Sequence, residues 1–251
     1  MRVFATSDLH VDFDENKSWL AGLSLQDYKH DVLICAGDLS HRLGEVSLSL
    51  QSLRKRFDKV MYIPGNHELW VNGHSDGTSM EKFRQVMRVA AEEGVLTQPL
   101  HLDDVSLVPL HGWYDYSFGQ PSADLLQKWA DYHLCLWPDG LTQQEIALYF
   151  LSQNQPLLTG TAKPVISFSH FVPRSDLVPN SGTGGRFLRP VLGSETLDVQ
   201  IRRLGSFMHI YGHYHVHGRQ ERDGVVYVNN ALGYPREEWL SERRLLCVFE
   251  T

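Results

Sequence analysis

The chain has 251 residues, 42% of them apolar, and carries a formal charge of −7 at neutral pH. That length and apolar content suffice to bury a full core and read better as one large α/β domain, residues 1–251, than as two. The acidic balance argues against stable, sequence-independent nucleic-acid binding, which needs many Lys and Arg contacts to phosphate, although a nuclease with a local basic groove stays open.

Met1 and Arg2 lead directly into the first apolar run, with no signal segment ahead of it and no run of membrane-spanning length, so a soluble cytoplasmic protein is expected. Cys35, Cys135 and Cys247 lie far apart. They suggest neither a disulfide framework nor a Cys-type zinc site, and the two in strand-like runs are expected to be buried.

In chain order, Val3-Phe4-Ala5 predicts a strand that ends at Asp8-Leu9-His10, and Val32-Leu33-Ile34-Cys35 a second that ends at Gly37-Asp38. Glu45–Phe57 predicts a helix with Val46, Leu50, Leu53 and Phe57 on one face. The strand Met61-Tyr62-Ile63 runs into Gly65-Asn66-His67-Glu68, and a helix over Met80–Glu93 stops at Gly94. This βαβαβ order implies a sheet core with helices outside.

A strand over Val105–Leu110 ends at His111-Gly112-Trp113-Tyr114-Asp115, where Trp113 and Tyr114 are candidates to touch a substrate. Helical stretches over Ser122–Leu136 and Thr142–Gln153, separated by Pro138-Asp139-Gly140, predict a helical insertion at about 120–155, a cap near the site whose aromatics belong mainly to core packing. A strand over Pro164–Ser169 leads to His170. The glycine-rich stretch Ser181–Arg186 follows, either a surface loop or a lid whose Arg186 meets a substrate phosphate. A helix over Ser194–Leu204, the strand Met208-His209-Ile210-Tyr211 and then Gly212-His213-Tyr214-His215 come next. Strands over Val225–Asn229 and Arg244–Phe249 read as a second layer closing the core.

Five polar motifs thus stand where buried strands end, the edge at which sites assemble in layered α/β proteins. Four fixed residues match by chance about once per hundred thousand positions, which sets Gly-Asn-His-Glu apart from the lone His170. The candidate ligands are Asp8, His10, Asp38, Asn66, His170, His213 and His215. Carboxylate, imidazole and amide donors without thiolate suit manganese, iron or zinc. Asp-x-His and His-x-His place alternate side chains on one side of an extended segment, and the isolated Asp38 suits a bridge between two metals. A bridged pair of metals, with its hydroxide nucleophile, is a device for phosphate esters. His30, His74, His101, His111, His133, His209 and His217 lack motif context and read as structural or surface residues.

The order Asp-x-His, Gly-Asp, Gly-Asn-His-Glu, His, Gly-His-x-His resembles the calcineurin-like metallophosphoesterases from about Asp8 to His215. The resemblance implies a layered β-sandwich flanked by helices, in four layers αββα. It implies one metal on Asp8, His10 and His215, another on Asn66, His170 and His213, Asp38 between them, and two divalent ions, manganese first with iron or zinc as alternatives. It implies hydrolysis of a phosphorylated small molecule or peptide by attack of a metal-bridging hydroxide on phosphorus. His67 matches the catalytic histidine of the family, which stabilises the transition state and protonates the leaving oxygen.

In the family's protein phosphatases an aspartate three residues after the bridging aspartate orients that histidine, and an arginine gripping phosphate follows; here those positions are His41 and Arg42. Arg42 leans toward a phosphomonoesterase, slightly favoured, and His41 toward a phosphodiesterase or nuclease. A non-catalytic scaffold that keeps the fold is the reading of another class.

Overall fold

Alternation of side chains along short apolar strands builds the centre of the molecule. The protein is described by a computed structural model over residues 1–71, 77–138, 140–159, 163–179, 183–237 and 242–250. His74, Asp139, Ser181 and Gly182, named above, lie outside the described residues.

The strands are β1 (Arg2–Thr6), β2 (Val32–Cys35), β3 (Lys59–Tyr62), β4 (Leu100–His101), β5 (Ser106–Pro109), β6 (Val165–Phe168), β7 (Ser206–Tyr211), β8 (Gly218–Arg222), β9 (Val225–Asn229) and β10 (Leu246–Glu250). One sheet has the order β10-β1-β2-β3 and the other β4-β5-β6-β7-β9-β8. The pairs β1–β2, β2–β3, β5–β6, β6–β7 and β7–β9 are parallel, while β10, β4 and β8 pair antiparallel at the edges.

Val3, Ala5, Val32, Ile34 and Met61 of the first sheet meet Leu107, Ile166, Phe168, Met208, Ile210 and Val228 of the second in a shared core. The intervening Phe4, Leu33, Cys35, Val60 and Tyr62 turn outward to a core that includes Leu20, Val46, Leu50 and Val86. Those residues come from helices α1 (Asp14–Gly22), α2 (Leu43–Arg54) and α3 (Ser79–Glu92). On the far side Val165, Tyr211 and Tyr227 join Leu125, Ile146, Phe150, Leu197 and Ile201. These belong to α4 (Ala123–Lys128), α6 (Gln143–Gln153) and α8 (Glu195–Leu204), with α5 (Asp131–Leu134) and α7 (Thr183–Leu188) completing the helices. Strands buried on both faces read as continuous apolar runs, and the layers are helix, sheet, sheet, helix.

Three expectations change. The stretch Ser122–Leu136 is two short helices, because Trp129 takes an extended backbone between α4 and α5. The last third is not a layer of its own: β9 lies in the second sheet, whereas β10 crosses to pair with β1 in the first. Gly218–Arg222, too polar to read as a strand, is held by its ladder to β9. Of the two strand cysteines Cys35 is buried, but Cys247 is exposed on the edge strand. Among the described residues no helix is long and apolar enough to cross a membrane.

Candidate metal centre

All five motifs converge at the carboxyl ends of β1, β2, β3, β6 and β7. Adjacent parallel strands bring the first three together and the last two together, and the shared core sets the two groups face to face. Asp8, His10, Asp38, Asn66 and His170 are at most 1% exposed, and His213 is 9%. Donor atoms cluster as Asp8, His10 and His215; as His10, Asp38 and His67; and as Asp38, His170 and His213.

Asp38 stands between the two halves. Its Oδ1 accepts the His67 backbone N–H at 3.0 Å. Its Oδ2 lies 3.4 Å from His170 Nε2, 3.8 Å from His67 Nε2 and 4.0 Å from His10 Nε2. Burial, then the Glu68 and Asp8 carboxylates, push the Asp38 carboxyl well up. The surplus of negative charge calls for a cation.

Acceptors hold the outer ring nitrogens of three histidines. His170 Nδ1 donates to the Ala36 carbonyl at 2.9 Å, His213 Nε2 to the Val191 carbonyl at 3.0 Å, and His215 Nδ1 to Glu237 Oε2 at 2.7 Å. Burial lowers His170 and takes His213 to about 3, so both rings are neutral. Their inner nitrogens, His170 Nε2 and His213 Nδ1, then carry lone pairs and face each other at 3.1 Å, with Asn66 Oδ1 also 3.1 Å from the first. Three acceptors converging without a proton between them fit a divalent ion.

On the other half His10 Nε2 lies 3.3 Å from His215 Nε2, which is 3.2 Å from Asp8 Oδ1. Burial alone would lower His215, yet Asp8 and Glu237 raise it to about 9. Burial likewise opposes ionisation of Asp8, but His215 holds its carboxyl far below the usual range.

The backbone is strained where the donors are. Asp8 (φ 53°), His10 (42°), Asp38 (56°) and His213 (65°) all sit in the left-handed region. Such conformations cost on the order of 1–2 kcal/mol each and persist where packing imposes them, commonly at functional sites. Gly65 shows how tight that packing is: a Cβ there would stand 2.1 Å from Asp38 Oδ1. Glu68, fully buried, accepts the backbone N–H groups of Asp38, Leu39 and Gly65 and ties the second motif to the third.

The other predicted residues divide. His67 and His41 line an open cleft of about 450 Å³ with His10, Asp12, Phe13, Glu15, Trp70, Tyr234, Pro235 and Arg236. Arg42 is 56% exposed, its Nε 3.4 Å from Asp12, as is His41 Nδ1. Trp113 and Tyr114 do not reach the cleft. They are 1% and 0% exposed in the helix-side core, because the strand end turns their rings onto Phe150, Phe171 and Tyr116. Arg186, exposed on α7, does not line the cleft either.

Four residues without motif context also belong to the site. Trp70 stacks on His67 with ring centres 3.6 Å apart. Tyr234 stacks on His10 at 4.5 Å, and Glu237 holds His215. Asp131, 2% exposed on α5, accepts from Asn66 Nδ2 at 2.9 Å, Trp70 Nε1 at 2.7 Å and Trp129 Nε1 at 2.9 Å. With Nδ2 committed to Asp131, the Asn66 oxygen points at His170. Asp131→Asn, which offers an N–H to donors, is expected to weaken one of two manganese sites by roughly 10- to 100-fold in a metal titration. Unchanged affinity at both sites would show that Asn66 needs no such anchor.

Residues 1–217 match the family described as calcineurin-like phosphoesterase. The chain is 28% identical to the [acyl-carrier-protein] phosphodiesterase PptH of Mycobacterium tuberculosis, over 94% of this chain and 78% of that protein. It is 24% identical to the uncharacterized protein L509 of Acanthamoeba polyphaga mimivirus, over 92% of this chain and 90% of the other. The crystal structure of the phosphopantetheinyl hydrolase PptH superposes with a TM-score of 0.82 at 25% identity, covering 100% of this chain and 96% of that one.

Proposed function

Because the chain belongs to the calcineurin-like phosphoesterases, hydrolases of phosphoric ester bonds, we propose that it cleaves a phosphodiester, with a phosphopantetheinyl arm on a protein hydroxyl as the favoured substrate. The observation that carries this reading is the cleft. A phosphomonoester dianion calls for cationic side chains around the phosphate. Among the described lining residues the one arginine, Arg236, is exposed and shares the cleft with Asp12 and Glu15, while Arg42 leans on Asp12. A diester carries one charge and a second substituent. Phe13, Trp70, Tyr234 and Pro235 give that substituent an apolar wall beside His10 and His67. The likeness to PptH supports the same choice, against the slight monoester preference that Arg42 suggested.

In this reading Asp8, His10 and His215 would hold one divalent ion and Asn66, His170 and His213 the other, with Asp38 standing between the two groups. Those ions, manganese by preference, would supply Lewis acidity toward water and toward the phosphoryl oxygens. The protein does the rest. Glu68 and Asp131 fix the loops that present Asp38 and Asn66. Burial, then the neighbouring histidines, lower His67 well below the usual histidine range, so at neutral pH it presents one ring N–H and no charge. At the cleft floor that N–H donates to the departing oxygen as charge develops there.

The test compares bis-p-nitrophenyl phosphate with p-nitrophenyl phosphate on manganese-loaded enzyme, and follows release of phosphopantetheine from a holo carrier protein by mass spectrometry. A diester preference in kcat/KM of roughly tenfold or more is expected. Dominant monoester turnover would overturn the diester reading. Metal binding without either activity would favour the scaffold.

A further inference from the structure

We propose that Tyr234 is the positioning residue of His67: its hydroxyl bonds ring nitrogen Nε2 and holds that nitrogen in place at the cleft. The proposal rests on the role given to His67 above. Tyr234 Oη lies 3.3 Å from His67 Nε2. Among the described residues the only carboxylate within 4 Å of the His67 ring nitrogens is Asp38, at 3.8 Å. His41, at the position where the phosphatases carry an orienting aspartate, reaches Asp12 and lies 6.2 Å from Trp70 between ring centres.

The segment bearing Tyr234 is built to place it, and it lies beyond residue 217, where the family match ends. After β9 the chain crosses to the end of β1. Ser7 N–H donates to Asn230 O, Leu232 N–H to Ser7 O and Gly233 N–H to Asp8 O. Asn16 Nδ2 donates to Gly233 O at 2.9 Å. Glu237 Oε2 accepts the Tyr234 backbone N–H at 3.0 Å while holding His215 Nδ1. The tyrosine ring is then packed between His10, at 4.5 Å and nearly parallel, and the edges of His215 and Phe13. Trp70 covers the face of His67. The Trp70 ring sets the plane of His67, and the Tyr234 hydroxyl fixes where Nε2 stands within that plane.

Tyr234→Phe keeps the ring and removes the hydroxyl. On the manganese-loaded enzyme, bis-p-nitrophenyl phosphate and diphenyl phosphate are compared, because phenolate is the more basic leaving group and depends more on a donated proton. Tyr234→Phe is expected to lower kcat for diphenyl phosphate by about tenfold or more, and for the nitrophenyl ester by less than about threefold, with KM and metal content unchanged. In a His67→Ala background, adding Tyr234→Phe is expected to change neither rate. Equal losses on both esters, or a further loss in the His67→Ala background, would overturn the proposal. If the wild-type enzyme cleaves only monoesters, the diester reading fails, and the same comparison is scored on p-nitrophenyl and phenyl phosphate.

Discussion

Asp38→Asn is expected to lower kcat by about 10³-fold or more, a loss of about 4 kcal/mol of transition-state stabilisation, and to reduce bound manganese from two equivalents toward one. The substitution is nearly isosteric. An asparagine oxygen can still accept the His67 backbone N–H that Asp38 Oδ1 accepts at 3.0 Å, so the turn carrying His67 is preserved. What disappears is the charge on Oδ2, the atom facing His170, His67 and His10 together. The same change separates function from folding. Burial and the Glu68 and Asp8 carboxylates disfavour an ionised Asp38 when no cation is bound. A group raised in this way destabilises the fold at neutral pH, so the metal-free variant is expected to melt at a higher temperature than metal-free wild type. Activity within tenfold of wild type, or a lower apo melting temperature, would show that Asp38 serves the fold rather than the reaction.

The site was legible to the extent that its residues sit at strand ends. Val3-Phe4-Ala5 and Val32-Leu33-Ile34-Cys35 are buried on both faces, so they read as strands without ambiguity and the polar residues just beyond them stood out. Asp8, His10, Asp38, Asn66, His170, His213 and His215 do meet at one place. The residues that orient them were not legible, because their roles depend on pairings across the fold. Asp131 reaches Asn66 across 65 residues, and Glu237 reaches His215 across the crossing that follows β9. Nothing in Trp-Ala-Asp-Tyr or Tyr-Pro-Arg-Glu marks such a partner in advance. Trp113 and Tyr114 misled for the converse reason: a strand end exposes only residues on the side where its loop departs, and these two rings turn into the helix-side core. The crossing of β10 to the first sheet was equally hidden, since an edge strand with only half-buried apolar residues fits either sheet by pattern.

Removing the metals is expected to lower the melting temperature by an amount that grows with pH. Manganese at 100 times its dissociation constant stabilises the folded state by about 2.7 kcal/mol for each site filled. At roughly 2–4 °C per kcal/mol for a chain of this size, each filled site adds about 5–11 °C to the gap between loaded and stripped protein. His215 makes that gap pH-dependent. Burial works against its protonation, but Asp8 and Glu237 raise it to about 9, above the ordinary value near 6.5. In the stripped protein this contribution is fully present below pH 6.5 and is lost as pH rises through about 9. In the loaded protein the ion takes the place of that proton, and its affinity rises as proton competition fades. The two trends oppose each other, so the gap widens between pH 6.5 and 9. Below pH 6.5 both forms weaken. Burial holds His10 and His213 near 3, so the unfolded chain takes up protons that the folded one refuses. Differential scanning fluorimetry with manganese or with chelator, at intervals from pH 6 to 9, reads this directly. A gap that stays constant or narrows toward pH 9 would mean that the proton on His215 and the metal do not compete for the same nitrogen.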